Sequence, residues 1–232
     1  MKSYVQKRKP YRTRKQQDTR LKWCKEHVDW SEQAWRNVVF SDESHFEILN
    51  RKNRTYVRRT PTEKDKPFSF QTRSKRGGGS VSVWGCVSAE GVGPLDFYDG
   101  RLNAASYTKL ISQSLPSYLA ESFDSNSQDI IFMQDNAPCH RAKSTKKWFK
   151  DNNISLLDWP PACPDINIIE NIWKDIDQSL HKYPISNKEQ LRCAIEDIWS
   201  KYTKEQCVNL VNSIPRRIKR IIKARGGNVS RY

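Results

Sequence analysis

With 232 residues, 36% of them hydrophobic and 11% aromatic, the chain carries enough apolar material for one large domain, which excludes wholesale disorder. No apolar run nears the ~20 residues needed to span a bilayer, and the basic start of the chain has no apolar segment behind it, which sets aside a secretory signal. The net charge is +15, and the six cysteines are scattered without a CxxC pair, which argues against a structural zinc site and for reduced thiols in cytosol or nucleus.

In chain order, residues 16–29 place Leu21, Cys24 and Val28 at helical spacing and predict an amphipathic helix. A strand over 37–41 runs into Asp42, and the alternating 45–49 reads as a second strand in hairpin relation to it. Residues 50–76 are polar, basic and Pro-broken, with at most one short strand at 55–59, and Gly77–Gly79 mark a hinge or close backbone approach. Strands are expected at 80–88 and 93–100. A helix follows over 103–122, with Asn103 as its cap and Pro116 as a kink or break. Then come a strand at 129–135 ending in Asp135, a helix at 141–152 and a buried strand at 154–159. The Pro-rich link 160–164 is rigid and extended. Helices are expected from Asp165 to about Lys182, over 187–201 and over 203–223. Early hairpins followed by alternating strands and helices imply an α/β fold, a mixed sheet with helices on its faces.

The charge is concentrated. Residues 1–22 carry +8, residues 51–76 carry +8 and residues 216–232 carry +7, leaving a body of −8. That pattern fits a polyanion gripped at the periphery. Solvated basic tails are the plainer reading. A membrane patch fits less well, because no amphipathic helix or lipidation motif accompanies the charge.

Asp42 and Asp135 each follow an apolar strand, and in open α/β sheets ligand sites gather at strand ends. A carboxylate there loses hydration unless something offsets it, and a divalent cation is the usual partner. Hard oxygen ligands suit Mg²⁺ or Mn²⁺, and two such ions could clamp the oxygens of an in-line phosphoryl displacement. A third acid is then required from Asp151, Asp158, Asp165, Glu170, Asp175 or Asp177. Asp151 falls at a helix end and Asp158 faces away from Leu157 and Trp159. Asp165 reads as the N-cap of the next helix. Glu170, more than one turn in, lies beside the stripe of Ile166, Ile169 and Trp173 and needs a partner. Phasing keeps Glu170 as a candidate without deciding the matter. His140, five residues after Asp135, reads as structuring its loop, with contact to the site as the other option. Asn136 and Asn171 flank candidate ligands, as caps or as hydrogen-bonding partners, and Trp84, Trp159 and Trp173 read as core.

The ordered set VVFSDES, GGGSVSVWGC, FMQDNAPCHRAKSTKKWF, LLDWPPACPDINIIENIW and GGNVSRY resembles the catalytic domain of the mariner superfamily of cut-and-paste DNA transposases, on its Tc-type branch. The match runs from about Lys7 to Tyr232, and the 34 residues between Asp135 and Glu170 are the spacing of that branch. The resemblance implies an RNase H-like fold and a DDE site of Asp42, Asp135 and Glu170 holding Mg²⁺ or Mn²⁺. It implies a clamp-like insert at 51–79 that joins a homodimer, and a basic linker at 1–15 ahead of a catalytic domain at 16–232. The pair of helix-turn-helix units that the family carries before this linker is absent from the sequence, which puts recognition of transposon ends in doubt. Ile168 and Cys163 depart from the Pro and Ser that the family often has there; no carboxylate is lost.

The expected activity is metal-dependent DNA cleavage and strand transfer in the nucleus, with no membrane partner. Expected DNA contacts are Lys7, Arg8, Lys9, Arg12, Arg14 and Lys15 in the linker, Arg73, Lys75 and Arg76 in the insert, and Arg216, Arg217 and Arg220 near the end. Two other readings compete. One is a truncated or domesticated remnant that binds DNA or dimerises without transposing. The other is a simple RNase H-type nuclease, which leaves the basic insert and tail unexplained.

Overall fold

The computed structural model describes residues 12–48, 60–64, 66, 79–123 and 130–229. Its centre is a five-stranded mixed sheet built from β1 (Val38–Glu47), β2 (Ser80–Ser88), β3 (Gly91–Tyr98), β4 (Ile131–Met133) and β5 (Ser155–Leu156). The strand order is β3-β2-β1-β4-β5. β1 pairs antiparallel with β2 and β2 with β3, while β1–β4 and β4–β5 are parallel.

Alternation along the strands sends side chains to two apolar layers. Val38, Phe40, Val81 and Val83 join one cluster with residues of α1 (Arg14–Glu26), α2 (Glu32–Arg36), α6 (Ile169–Ser179), α7 (Lys188–Ser200), α8 (Lys204–Asn212) and α9 (Ile214–Lys223). Val39, Trp84 and Cys86 join the other with residues of α3 (Ala104–Ser122) and α5 (Lys143–Asp151). Trp84, Trp159 and Trp173 are core residues as expected. Gly85 makes room between layers: a Cβ there would sit 3.0 Å from the ring edges of both Trp173 and Trp199, which stack at 5.2 Å.

Several expectations are corrected. Residues 37–49 do not form a hairpin: β1 is one ten-residue strand, and its antiparallel partner is β2, in register from Phe40↔Val87 to Glu47↔Ser80. The polar residues 41–45 read as a turn, but the distant β2 supplies their backbone partners. Pro116 does not break α3, which runs through it from the Asn103 cap to Ser122. The expected strand at 129–135 is shorter, so Asp135 lies two residues past its end. The helix expected over 141–152 forms as α5 (Lys143–Asp151), and a short unexpected helix, α4 (Pro138–Arg141), precedes it; both pack against α3. The last helices form as expected, but α8 and α9 divide at Ser213, where Pro215 opens a new helix. α9 is strongly amphipathic, an arrangement the sequence reading had set aside; its Ile214, Ile218 and Ile221 are buried in the core. The strand expected at 55–59, the residues Gly77 and Gly78, and most of the 51–79 insert lie outside the described residues. Among those described, no helix is long and apolar enough to cross a membrane.

Candidate active site

The parallel pairing of β1 with β4 sets Val38 to Phe40 beside Ile131 to Met133, and both chains continue past the paired residues toward the same edge. Asp42 does not end a strand as expected but sits inside β1, paired opposite Gly85 of β2, whereas Asp135 lies two residues past the end of β4. Ser41 fastens the two, its hydroxyl donating to the Met133 carbonyl at 2.8 Å. The third element comes from the other side. Asn167 is buried; its side-chain amide donates to the Ser41 carbonyl at 3.3 Å and its side-chain oxygen accepts from Ile169 N at 3.3 Å. α6 therefore starts against the strand that carries Asp42.

Glu170 is the second residue of α6, in its first turn rather than more than one turn in. Ile169, Ile172, Trp173 and Ile176 take the buried face and leave Glu170 exposed. A carboxylate in the first turn also meets the positive end of the helix dipole. Asp42, Asp135 and Glu170 line one pocket of about 430 Å³, walled by Trp159, the Pro160–Pro164 link and Asn167. Among the described residues, no three or more His, Cys, Asp or Glu side chains are grouped closely enough to hold a metal ion as they stand.

The electrostatics of the three differ. Burial pushes Asp42 well above the usual carboxylate range, and the negative charges of Glu170, Glu43 and Asp135 push it the same way. Glu170, although exposed on its helix, is partly shielded by the pocket wall, and that desolvation raises it. Burial acts upward on Asp135 too, but hydrogen bonds from His140 and from Ala137 N outweigh it and hold this acid below its ordinary value. His140 donates from Nδ1 to Asp135 Oδ1 at 2.7 Å and from Nε2 to Glu43 Oε1 at 3.2 Å. Its own burial opposes protonation, yet these two acceptors push it up to about 10. His140 thus touches the site, the option the sequence reading had ranked second. Glu43 was missed altogether; its only signal is the second acid in SDE.

The other acids weighed for the third position lie elsewhere. Asp151 pairs with Lys147 at 2.8 Å, and Asp175 accepts from the Tyr202 hydroxyl at 3.1 Å. Asp165 is not the N-cap of α6, which begins four residues later without a side-chain cap. Its carboxylate is held by both guanidinium Nη atoms of the fully buried Arg20, with Arg12 Nη2 at 3.3 Å. Asn136 donates to the Trp159 carbonyl at 2.6 Å, fixing the loop after Asp135 to the pocket wall.

The expected DNA contacts divide. Arg12 and Arg217 are 6% and 2% exposed and bond to interior partners, which withdraws both from a DNA-facing role. Arg14 and Lys15 are exposed in the first turn of α1, where Arg14 meets Asp18 at 3.8 Å. Arg216 and Arg220 lie exposed on α9 and share a groove of about 490 Å³ with Lys219, Lys223 and Glu32. Lys7, Arg8, Lys9, Arg73, Lys75 and Arg76 lie outside the described residues.

Comparison with known proteins identifies the family and the fold. The family described as DDE superfamily endonuclease matches residues 37–192. The chain is 32% identical over 220 residues to the Transposable element Tcb2 transposase of Caenorhabditis briggsae, covering 94% of this chain and 79% of that protein. It is 30% identical over 219 residues to the Transposable element Tc1 transposase of Caenorhabditis elegans, with the same coverage. The solved Mos1 mariner paired end complex with Mg superposes with a TM-score of 0.83 at 18% identity, covering 99% of this chain and 68% of that one. That likeness shows the RNase H-like fold expected from the sequence. The chain belongs to the DDE superfamily of endonucleases and carries the catalytic domain of a Tc1/mariner-type transposase.

Proposed function

We propose that this domain cleaves DNA and transfers the freed strand end into target DNA, with Asp42, Asp135 and Glu170 as the ligands of divalent ions, Mg²⁺ or Mn²⁺. The observation that carries the reading is the convergence of the three acids, one from within β1, one from just past β4 and one from the start of α6, on a single pocket. The donor set fits such ions: all six carboxylate oxygens are hard ligands, and mutual repulsion with burial raises Asp42 in a way a cation would relieve. Among the described residues, no lysine or arginine pairs with any of the three.

A bound pair of divalent ions supplies orientation of water and of the 3′-hydroxyl, together with neutralisation of charge on the reacting phosphate. The chain's own residues supply the rest. Asp42 within β1 and Asp135 in the loop just past β4 are held together by the Ser41–Met133 bond, so their spacing is fixed before substrate arrives. His140 and Ala137 N fix the Asp135 carboxylate through its Oδ1. Trp159 and the prolines wall the pocket and limit water on that side.

The Mos1 structure is a complex of paired ends, and the relatives are transposases. By that analogy a partner is paired transposon-end DNA; the family resemblance in the sequence adds target DNA and a homodimer joined through the 51–79 insert. The basic 1–15 segment serves as linker to the catalytic domain at 16–232, and the working compartment is the nucleus. Exposed Arg14, Lys15, Arg216 and Arg220 are the described residues placed to meet phosphates.

The test is Asp135→Asn. The variant should lose Mg²⁺-dependent cleavage of transposon-end DNA while retaining salt-sensitive DNA binding. A variant that cleaves as the parent does removes Asp135 from the ligand set.

A further inference from the structure

The segment 162–171, which presents Glu170, has little local support. Ala162 takes a positive φ of 56°, and α6 opens at Ile169 without a side-chain cap from its N-cap residue. Beyond the Asn167 link to Ser41, its side-chain fixings come from the two ends of the chain. Arg12 donates from Nε to the Ala162 carbonyl at 2.8 Å, and Arg20 grips the Asp165 carboxylate with both Nη atoms. Arg217, on α9, reaches the segment on both sides of Glu170. Its Nη1 donates to the Asp165 carbonyl at 3.3 Å and its Nη2 to the Asn171 side-chain oxygen at 2.8 Å, while its Nε is held by the Ser213 hydroxyl at 2.8 Å.

Burying guanidinium groups is unfavourable unless their bonds are well made, and apolar packing stabilises a fold at lower cost. Here the planar fork of Arg217 is matched to two acceptors five residues before Glu170 and one residue after it, a placement that stability alone does not require. We propose that Arg217, acting through Asn171 and the Asp165 carbonyl, is a positioning residue that fixes the direction of Glu170. The inference rests on the reading of Glu170 as a metal ligand. Outer partners of this kind typically change metal affinity or activity by about 10–100-fold.

The experiment is direct Mn²⁺ binding by the full chain, followed by electron paramagnetic resonance, alongside cleavage and urea unfolding. Asn171→Ala is the main variant, because Arg217 keeps Ser213 and the Asp165 carbonyl and no buried charge is stranded. It should fold as the parent does, bind DNA as the parent does, and bind Mn²⁺ about tenfold or more weakly. Asn171→Asp keeps an acceptor for Arg217 and should restore the affinity. Parent-like Mn²⁺ affinity in Asn171→Ala, or equal impairment in Asn171→Asp, overturns the inference alone. Parent affinity that Glu170→Gln leaves unchanged overturns the reading of the site and the inference with it.

Discussion

Asn167 and Ser41 stand 126 positions apart in sequence, and the side-chain amide of the first donates to the backbone carbonyl of the second at 3.3 Å. Through Ser41 and its bond to Met133, this link ties together the three backbone segments that carry Asp42, Asp135 and Glu170. The site is therefore held by short polar side chains one or three residues away from the acids, rather than by the acids themselves.

Replacing Asn167 by Ala should expose the importance of that link. It leaves the buried Ser41 carbonyl and the Ile169 amide without these partners, a loss of about 1–3 kcal/mol. Urea unfolding should show that loss, and cleavage should fall more than DNA binding does, because α6 is released from β1. An Asn167→Ala protein with parent stability and parent cleavage would show the bond to be idle.

His140→Ala removes a donor from Asp135 Oδ1, leaving only Ala137 N to orient that oxygen. Cleavage should drop about 10–100-fold with DNA binding retained. Glu43→Gln should do less, since its contact is longer, at 3.2 Å, and reaches Asp135 only through His140. If Glu43→Gln proves the more damaging of the two, Glu43 acts on the site by another route.

Much of the strand and helix order was legible, as in the β-rich run of β2, whose second half is buried throughout, and in α3, which starts at its expected Asn103 cap. The single long β1 was not, because its polar half Ser41–His45 is stabilised by pairing with β2 some forty residues away. Asp42 and Asp135 stood out because each follows an apolar run, but helix phasing left the third position open, and Glu170 was singled out only by the family resemblance. Asp165 misled because Asp before a helix is the usual cap, and its buried arginine partners come from 145 and 153 positions away. Arg12 and Arg217 misled in the same way: a basic run does not reveal which of its members turn inward.

His27 gives the fold a pH dependence of known sign. It stacks on Trp23 at 4.0 Å and lies 4.7 Å from Trp30, and burial lowers its pKa from 6.5 even though Glu26 and Asp158 act the other way. The unfolded chain then takes up a proton at a higher pH than the folded one does. The stability contributed by neutral His27 is complete above pH 6.5 and is lost as pH falls through the depressed folded value. Urea midpoints at pH 7.5 and 5 should differ less in His27→Phe than in the parent. An unchanged difference would assign the acid sensitivity to other groups.

Gly226 explains why the chain carries glycines just after its last helix. Its φ is +77°, and a Cβ there would lie 2.1 Å from the Gln17 carbonyl oxygen and 2.9 Å from its carbon. Those are backbone atoms of α1, so the clash cannot be relieved by a side-chain turn. Gly226→Ala should cost the left-handed penalty of about 1–2 kcal/mol and, in addition, push α9 off α1. Gly100→Ala is the matched control: φ is +74°, but nothing lies within 4 Å of the added carbon. At about 2–4 °C per kcal/mol, both variants should melt lower, with Gly226→Ala lower by several degrees than Gly100→Ala. Because α1 and α9 carry Arg20 and Arg217, Gly226→Ala should also weaken cleavage, whereas Gly100→Ala should not. Equal melting points and equal cleavage in the two variants would reduce Gly226 to an ordinary turn.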